Sequence, residues 1–298
     1  MVKSSTPLSR LGTIRGLISD MDGVLWRGNQ PMPGLVDFVS FLRQAGIRLI
    51  LATNNASKRS ADYVERLAGF GVTVPQDEIS CTAEAAAEHL AALSPGARAF
   101  VIGEPALESA LAERGLVIVP EEAVPLGVKI DKLADYVIVG WNRRLTWEKL
   151  TRATLLIRGG ACFVGTNADR TWPSEYGLLP GNGATLAFLQ AATDVEPMII
   201  GKPGQIVFEQ AMKRLGLEAA QVAMLGDRLE TDIEGGQRAG LTTIFVCSGV
   251  QSRAEAERYP NGPDLIFEDI SDLMQAWKTR ISATETHPIP AGDWRTQS

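Results

Sequence analysis

The sequence has few of the residues that most often bind metal ions or form covalent cross-links. Its 298 residues include three cysteines and two histidines. The cysteines, Cys81, Cys162 and Cys247, are far apart and odd in number, so they match neither a zinc motif nor a disulfide framework. This usage predicts a reducing, cytoplasmic setting. With only His89 and His287, catalysis has to rely on carboxylates, lysine, hydroxyls or a metal ion.

Two further absences exclude broad classes of protein. The chain has no excess of positive charge, because 29 basic and 35 acidic residues give a net charge of −6. Binding to nucleic acid depends on neutralising phosphates, so we expect no nucleic-acid partner. No apolar run approaches the roughly 20 residues that span a bilayer, and the N-terminus has none of signal-peptide length. We therefore expect no membrane association.

The sequence does contain a regular alternation of strand-like and helix-like segments. Short apolar runs predict strands at 16–20, 47–53, 197–200, 221–225 and 242–246. Helical spacing predicts helices between them, among them 34–45 and a helix capped by Ser57 that extends through Leu67. Strands that alternate with helices predict a doubly wound, Rossmann-like parallel sheet, whose ligand sites lie at the carboxyl ends of the strands.

A second alternation of strands and helices interrupts this pattern between about Ser80 and Pro180. A chain of 298 residues is long enough for about two domains. Because the segments on either side resemble parts of one sheet, we interpret residues 81–180 as an inserted, smaller α/β domain. The core would then consist of residues 1–80 and 181–282, and the polar residues 283–298 would form a loose tail.

The first motif that carries chemistry follows the first predicted strand. Asp20 and Asp22 stand on either side of Met21 in the sequence DMDGV. Two carboxylates this close are unfavourable unless a cation or a proton compensates their charge. The alternative, for this motif taken alone, is an ordinary Asp-Gly turn at the end of a strand.

Two more motifs place polar residues at predicted strand ends. Thr53, Asn54 and Asn55 follow the second strand, where a hydroxyl and backbone N–H groups can hold phosphate oxygens. Lys202, in the sequence GKP, follows the strand at 197–200 and can neutralise an anion. Taken singly, these motifs also have ordinary explanations, a polar loop and an exposed lysine.

The fourth motif, GDRLETD, carries Asp227 and Asp232 across a strand-to-helix turn. Asp227 is suited to bind a hard cation and Asp232 to support it, although acidic residues at a helix N-terminus also complement the helix dipole. We expect Glu230 to have only that second role. Because all four motifs follow strands expected to share one sheet, together they predict a magnesium site beside a phosphate pocket.

The set DMDGVL, TNN, GKP and GDRLETD, in this order, resembles the motifs of the haloacid dehalogenase (HAD) superfamily of phosphotransferases. The stretches VGWNRRLTWEKLTRA, TNADRTWPSEYGLLPGNG and IIGKPGQIVFEQAMKRLG are similar to its branch of NagD-like, 4-nitrophenyl and phosphoglycolate phosphatases. The resemblance covers nearly the whole chain except the tail. It implies a HAD-type core with a large α/β cap inserted between the second and third motifs.

The resemblance also implies a role for each matching residue. Asp20 would be the nucleophile that forms an aspartyl-phosphate, and Asp22 the general acid and base. Mg²⁺ would be held by Asp20, the backbone carbonyl of Asp22 and Asp227, with Asp232 as a further ligand or as a support. The residues that would bind the transferring phosphoryl group are Thr53, Asn54, Asn55 and Lys202.

A few other residues are candidates for contacts with the leaving group. Trp26 follows the first motif, where the family has a mobile flap, and would either contact the leaving group or pack beneath the cap. Asn167, Asp169 and Arg170 fall in a loop of the inserted segment and could face the substrate. The basic residues that we expect on the solvated surface are Arg143 and Arg144.

The leading hypothesis is a magnesium-dependent hydrolase of small phosphate monoesters. A carbon–halogen hydrolase is disfavoured, because that branch lacks the aspartate that matches Asp22. Another HAD-type phosphotransferase and a non-catalytic regulatory protein are the less favoured alternatives. The resemblance does not rank phosphoglycolate, nucleoside monophosphates, pyridoxal phosphate, glycerol phosphate and 4-nitrophenyl phosphate as substrates. It also implies a homodimer that forms through the cap.

Overall fold

A computed structural model describes residues 7–127, 132–174 and 177–285, which form two parallel sheets surrounded by helices. The strands, β1 to β15, are Gly16–Ser19, Trp26–Arg27, Gln30–Pro31, Arg48–Thr53, Ile79–Cys81, Arg98–Ile102, Val117–Ile118, Tyr136–Val139, Cys162–Gly165, Thr171–Ser174, Gly177–Pro180, Met198–Ile199, Val222–Gly226, Thr242–Val246 and Leu265–Phe267. The helices, α1 to α10, are Leu35–Gln44, Ser60–Gly69, Thr82–Leu93, Pro105–Glu113, Trp147–Arg158, Asn182–Thr193, Gln205–Leu215, Glu234–Arg238, Arg253–Arg258 and Ile270–Glu285.

The first sheet, called the core sheet here, has six parallel strands in the order β15-β14-β13-β1-β4-β5. Its central strand is β1, in which Ile18 pairs with Met224 of β13 and with Ile50 of β4. Leu17 and Ile18 pack into two different hydrophobic clusters, because helices cover both faces of the sheet. The predicted doubly wound parallel sheet is confirmed.

The second sheet has five parallel strands in the order β12-β9-β8-β6-β7, and it lies between β5 and β13 in chain order. Its strand β12 pairs Met198 with Val164 and Ile199 with Gly165 of β9. The prediction that segment 197–200 belongs to the core sheet is therefore wrong. An apolar run of four residues identifies a strand, but its pairing partner is decided by long-range packing that the run itself does not encode.

Helix α6 also packs with the second sheet. Its residues Leu186 and Leu189 are buried in the same hydrophobic cluster as Phe100 of β6. Helix α6 and strand β12 both pack with the second sheet, so the chain up to residue 199 belongs with that sheet. The sequence prediction had assigned all of residues 181–282 to the core. The division of the chain into a core and a cap domain otherwise stays a prediction.

The start of α2 differs from the sequence prediction. The helix begins at Ser60 and has Arg59 at its N-cap position, not Ser57. The Ser57 hydroxyl instead donates to Oδ1 of Asn55 at 2.7 Å. A serine before an apolar helix is a good N-cap signal, but here it stabilises the preceding turn.

The C-terminal helix α10 continues to Glu285, three residues into the segment 283–298 that was predicted to be a loose tail. Residues 286–298 lie outside the described part of the chain. Among the helices described, none is long and apolar enough to cross a membrane. Two short hairpins, β2–β3 and β10–β11, border the site described next.

Candidate active site

Asp20 lies directly after β1, at the carboxyl edge of the core sheet. Its backbone N–H donates to Leu225 O at 2.8 Å, so it continues the ladder of the strand. The Asp20 carboxylate contacts Nζ of Lys202, and both residues are buried, with 9% and 2% of their surface exposed. Nζ of Lys202 also lies 2.8 Å from Oδ1 of Asp232, so one ammonium group bridges two carboxylates.

Lys202 reaches this position from the second sheet, three residues after the end of β12. The sequence prediction placed it at the end of a core strand, which is incorrect. Its Nζ atom nevertheless lies among the predicted carboxylates and also donates to Ala52 O at 3.2 Å. The site is therefore built from the carboxyl ends of strands in two sheets.

Asp232 is held by the turn that follows β13. Its Oδ2 atom accepts hydrogen bonds from the backbone N–H groups of Asp227 at 3.2 Å and Arg228 at 3.1 Å. The residue lies in the π-helical turn Leu229–Ile233 and is buried. Oδ2 of Asp232 thus has two backbone hydrogen bonds, whereas its buried Oδ1 has the ion pair with Lys202 and no other partner among the described residues.

Asp227 is buried beneath Asp20 and Asp232 and has one oxygen without a partner. Val250 donates its backbone N–H to Oδ2 at 2.7 Å, whereas the buried Oδ1 accepts no hydrogen bond from any described residue. Glycines make room for this carboxylate, because a Cβ atom at Gly23 or Gly249 would lie 2.5 Å or 1.9 Å from Oδ2. An orphaned, buried carboxylate oxygen is costly unless a cation binds it.

The three carboxylates concentrate negative charge, since oxygen atoms of Asp20, Asp227 and Asp232 lie within 4.8 Å of one another. Burial raises the pKa of Asp20 well above its ordinary value, with Lys202 acting in the opposite direction. Burial, followed by the charge of Asp232, raises the pKa of Asp227 to about 7. Burial lowers the pKa of Lys202, but the two neighbouring carboxylates outweigh it, and the net direction is upward. One ammonium group does not balance three carboxylates, so a further cation would stabilise the cluster.

Asn54 connects the core sheet to the loops of the second sheet. Its Nδ2 donates to Lys202 O at 2.9 Å and to Oδ1 of Asp169 at 3.1 Å, while its Oδ1 accepts from Lys202 N at 2.8 Å. Its backbone carbonyl accepts hydrogen bonds from Nδ2 of Asn167 at 2.7 Å and from the hydroxyl of Thr82 at 2.9 Å. One side chain and one carbonyl thus hold the loops after β9 and β12 and the start of α3 near Asp20.

Thr53 and Asn55 have more local roles in this structure. Thr53 ends β4, is buried, and accepts a hydrogen bond on its hydroxyl from Asn55 N at 3.2 Å. The Asn55 side chain accepts from Ser57 N at 2.8 Å and so closes a turn. Both residues line the cavity above Asp20, but the side-chain oxygen of Asn55 is already engaged.

Asp22 lies apart from the three buried carboxylates. Its side chain is exposed, and its Oδ1 accepts a hydrogen bond from Nε1 of Trp26 at 2.7 Å. Trp26 is fully buried and stacks on Tyr63, with ring centroids 6.3 Å apart. Trp26 thus packs against α2 and also lines the cavity, and its hydrogen bond orients Asp22. The choice between a contact with the leaving group and packing beneath the cap stays a prediction.

Apart from Asp227, the predicted site residues described above line one cavity of about 620 Å³ between the two sheets. Asn167 and Asp169 line it as expected, whereas Arg170 is exposed and does not. Arg143, predicted to be an ordinary surface residue, lines the cavity as well. The lining residues that the sequence reasoning missed include Lys58, Trp141, Trp172 and Arg228.

A usable signal existed for one of the missed residues. Trp141 follows β8 by two residues, so the rule that ligands bind at carboxyl ends of parallel strands applies to the second sheet as well. Arg228 lies inside the fourth motif, and the charge of Asp169 raises its pKa against the lowering effect of burial. Trp172 had no comparable signal, because the hairpin that carries it is defined by long-range packing.

Comparison with known proteins identifies relatives over nearly the whole chain. Residues 17–117 match the family described as haloacid dehalogenase-like hydrolase, and residues 199–273 match a second family model described as HAD-hydrolase-like. An acid sugar phosphatase of Staphylococcus saprophyticus is 36% identical over 261 residues, 88% of this chain and 97% of that protein.

Solved structures give the same result. The p-nitrophenyl phosphatase from Archaeoglobus fulgidus superposes with a TM-score of 0.80 at 33% identity, over 88% of this chain and 99% of that one. The glycerol phosphate phosphatase from Mycobacterium tuberculosis, solved in complex with magnesium, has a TM-score of 0.80 at 35% identity. That match covers 90% of this chain and 79% of the other.

Fold and site together define an α/β phosphatase whose reactive groups lie at the carboxyl ends of parallel strands. The chain belongs to the haloacid dehalogenase-like hydrolases, on the branch that includes acid sugar and 4-nitrophenyl phosphatases. The family and the enzyme class, a hydrolase of phosphoric monoesters, that the four motifs predicted are confirmed.

The junction at Asn54 generates a stability prediction. Asn54→Ala removes three side-chain hydrogen bonds to Lys202 and Asp169 and leaves their partners unsatisfied. We expect the free energy of unfolding in urea to fall by about 2–4 kcal/mol. The matched control is Asn55→Ala, which removes only a local turn and should cost about 1 kcal/mol. Equal losses for the two variants would contradict the role given to Asn54.

Proposed function

We propose that this protein is a magnesium-dependent phosphatase of small phosphate monoesters that works through an aspartyl-phosphate on Asp20. The observation that carries the proposal is the buried group formed by Asp20, Lys202, Asp227 and Asp232 below an open cavity of about 620 Å³. The cavity supplies room for the ester. The buried group supplies the nucleophile, Asp20, together with the positive charge of Lys202 and the negative charges of Asp227 and Asp232. The relatives named above are phosphatases of acid sugar, nitrophenyl and glycerol phosphate type.

In the first step, an oxygen of Asp20 attacks the phosphorus atom and the bond to the leaving alcohol breaks. Lys202 holds Oδ1 of Asp20, which leaves Oδ2 as the oxygen without a hydrogen-bond partner among the described residues. The same ammonium group can stabilise negative charge on the phosphoryl oxygens, assisted by the Thr53 hydroxyl. Asp22 gives its proton to the departing alcohol oxygen.

In the second step, water cleaves the bond between Asp20 and phosphorus and releases phosphate. Asp22, now ionised, accepts a proton from that water. Oδ1 of Asp22 is occupied by the indole N–H of Trp26, so Oδ2 is the atom that carries the proton in both steps. Asp20 and Asp22 thereby return to their starting protonation states.

The donor set fits a magnesium ion. Asp20 and Asp227 would hold it through carboxylate oxygens, the second through its orphaned Oδ1, together with the backbone carbonyl of Asp22. Asp232 has both oxygens engaged by Lys202 and by backbone N–H groups, which favours the supporting role. When bound, Mg²⁺ neutralises charge on the cluster and orients the phosphoryl oxygens.

Other features stay predictions from the sequence. They are a cytoplasmic location, a homodimer formed through the inserted segment, and the choice among the candidate substrates. A regulatory protein without activity is disfavoured, because such a protein would not need the six predicted residues to come together at one site, with five of them lining the cavity and Asp227 buried beside Asp20 and Asp232. Those residues are Asp20, Asp22, Thr53, Lys202, Asp227 and Asp232.

The metal assignment can be tested by activity and by stability. We expect activity to disappear in excess EDTA and to return with Mg²⁺. At about 100 times its dissociation constant, Mg²⁺ should add about 2.7 kcal/mol to the free energy of unfolding. Asp227→Asn should lose this stabilisation, and Glu230→Gln, an exposed change in the same motif, should keep it. Full activity in EDTA, or equal stabilisation of both variants, would count against the site.

The proposed function is tested by trapping its covalent intermediate. With 4-nitrophenyl phosphate, whose alcohol leaves without a proton, Asp22→Asn should slow the second step more than the first. We expect a burst of up to about one nitrophenol per site, and phosphate that stays on the protein until hydroxylamine removes it. The control Asp20→Asn should show neither signal. Linear release without labelled protein would refute the aspartyl-phosphate route.

The contact between Trp26 and Asp22 generates a separate prediction. Trp26→Phe keeps an aromatic ring against Tyr63 but removes the N–H that orients the proposed acid. We expect kcat/KM to fall about tenfold for an alkyl phosphate, which needs the proton, and much less for 4-nitrophenyl phosphate. Trp277→Phe in α10, which removes a buried indole hydrogen bond to Leu11 O, is the control. Equal losses on both esters would show that Trp26 has only a packing role.

A further inference from the structure

We propose that Trp141, Arg143 and Trp172, which form one wall of the cavity, select the leaving group of the ester. The substrate class that it fits is a phosphate monoester whose leaving group combines an aromatic face with a negatively charged substituent. This inference rests on the proposed phosphatase function and specifies which esters it prefers. It depends on three observations. They are the apolar surface of the two indole rings, the anchoring of the hairpin that carries Trp172, and the basic side chains of the cavity that have no carboxylate partner among the described residues.

The two indole rings form an apolar surface at the cavity wall. Their centroids are 5.2 Å apart with an interplanar angle of 37°, and both rings line the cavity that Asp20 also lines. Trp172 keeps 43% of its surface exposed although it packs on Trp141. A large aromatic side chain left open toward a cavity offers a stacking surface to a planar group, and such a contact contributes about 0.5–1.5 kcal/mol beyond area burial.

The hairpin that carries Trp172 is anchored next to the reactive groups. Asp169, which accepts a hydrogen bond from Asn54, lies three residues before Trp172. At the same end of the hairpin, Gly181 donates its N–H to Arg170 O at 2.9 Å. A Cβ atom at Gly181 would lie 2.2 Å from Asp169 O, so the base of the hairpin is tightly packed. This anchoring therefore fixes the position of the Trp172 ring relative to the buried carboxylates.

The charge of the cavity wall is opposite in sign to that of the chain. Six basic and four acidic residues line the cavity, whereas the chain as a whole has a net charge of −6. Two of the basic residues, Lys202 and Arg228, already face carboxylates. In the described part of the chain, the other four basic residues have no carboxylate within ion-pair distance, and they are Arg27, Lys58, Arg66 and Arg143. The phosphoryl group is served by Lys202, so this surplus charge favours a second anionic group on the ester.

Arg143 is the basic residue that lies beside the two rings. Its guanidinium carbon is 5.0 Å from the centroid of Trp141. Its backbone N–H donates to Oε1 of Glu104 at 2.9 Å, and the neighbouring Asn142 side chain donates to Gly103 O. The loop is thus held by its backbone while the guanidinium remains available. A planar guanidinium next to an aromatic surface can bind a carboxylate through two parallel hydrogen bonds.

The ring contact is tested with Trp172→Ala. We expect kcat/KM for phenyl phosphate to fall about tenfold and the loss for glycerol phosphate to be at least fivefold smaller. Comparing each variant with the wild type on the same ester removes differences in intrinsic reactivity. Trp147→Ala is the matched control, because Trp147 is 70% exposed on α5 and does not line the cavity. Trp172→Phe should retain most of the preference.

The charge contact is tested with Arg143→Gln and with two esters that differ only in charge. We expect the ratio of kcat/KM for 4-carboxyphenyl phosphate to that for phenyl phosphate to fall about tenfold. Arg144→Gln is the matched control, since Arg144 is exposed and does not line the cavity. A change of tenfold corresponds to about 1.4 kcal/mol, well within the range of one charge-assisted hydrogen bond.

The outcomes separate the substrate class from the proposed function. If the wild type hydrolyses no ester with Mg²⁺, the proposed function fails and the substrate class fails with it. If the wild type is active but Trp172→Ala lowers kcat/KM for phenyl and glycerol phosphate equally, the aromatic part is overturned. If Arg143→Gln and Arg144→Gln leave the charge ratio equally unchanged, the anionic part is overturned and the phosphatase function stands.

Discussion

The burial of one ammonium group between two carboxylates is the interaction on which the geometry of the site depends. Lys202 contacts Asp20 and lies 2.8 Å from Asp232, with almost no surface exposed to water. Removing such charges from water is costly, so the arrangement persists only where every group has a partner. Among the described residues, Oδ1 of Asp227 has neither a hydrogen bond nor an ion pair, whereas Oδ1 of Asp232 has the ion pair with Lys202. The same excess of negative charge that destabilises the cluster favours the binding of a divalent cation.

The site also requires that the two sheets be positioned accurately relative to each other, because the reactive groups come from both sheets. Asn54 meets this requirement with a single side chain and a single carbonyl that bind Lys202, Asp169, Asn167 and Thr82. These partners come from α3 and the loops after β9 and β12, whereas Asn54 itself follows β4. A short polar side chain at the end of a buried strand thereby aligns the nucleophile of one sheet with the lysine of the other.

The motifs and the local patterns of the sequence predicted the family, the parallel sheet and the residues that converge at Asp20. They succeeded where a short apolar run ends in a polar residue, as at Asp20 and Asp227. They failed where partners are far apart in the chain, as for Asn54, which is 113 residues from Asn167 and 148 from Lys202. The sheet membership of β12 and the cavity wall at Trp172 depend on such distant pairing, and local patterns do not report it.

The pairing of β12 with β9 decides where this chain can be recombined. A chimaera that exchanged only residues 81–180 would leave Met198 and Ile199 to pair with a foreign strand, because their own partner would be gone. Lys202 follows three residues later, so the position of its ammonium group would depend on how well that foreign edge fits. An exchange that extends to residue 199 transfers the sheet with its own edge strand. The unit that can be transplanted is therefore set by hydrogen bonding between strands, and it is longer than the segment that interrupts the sequence pattern.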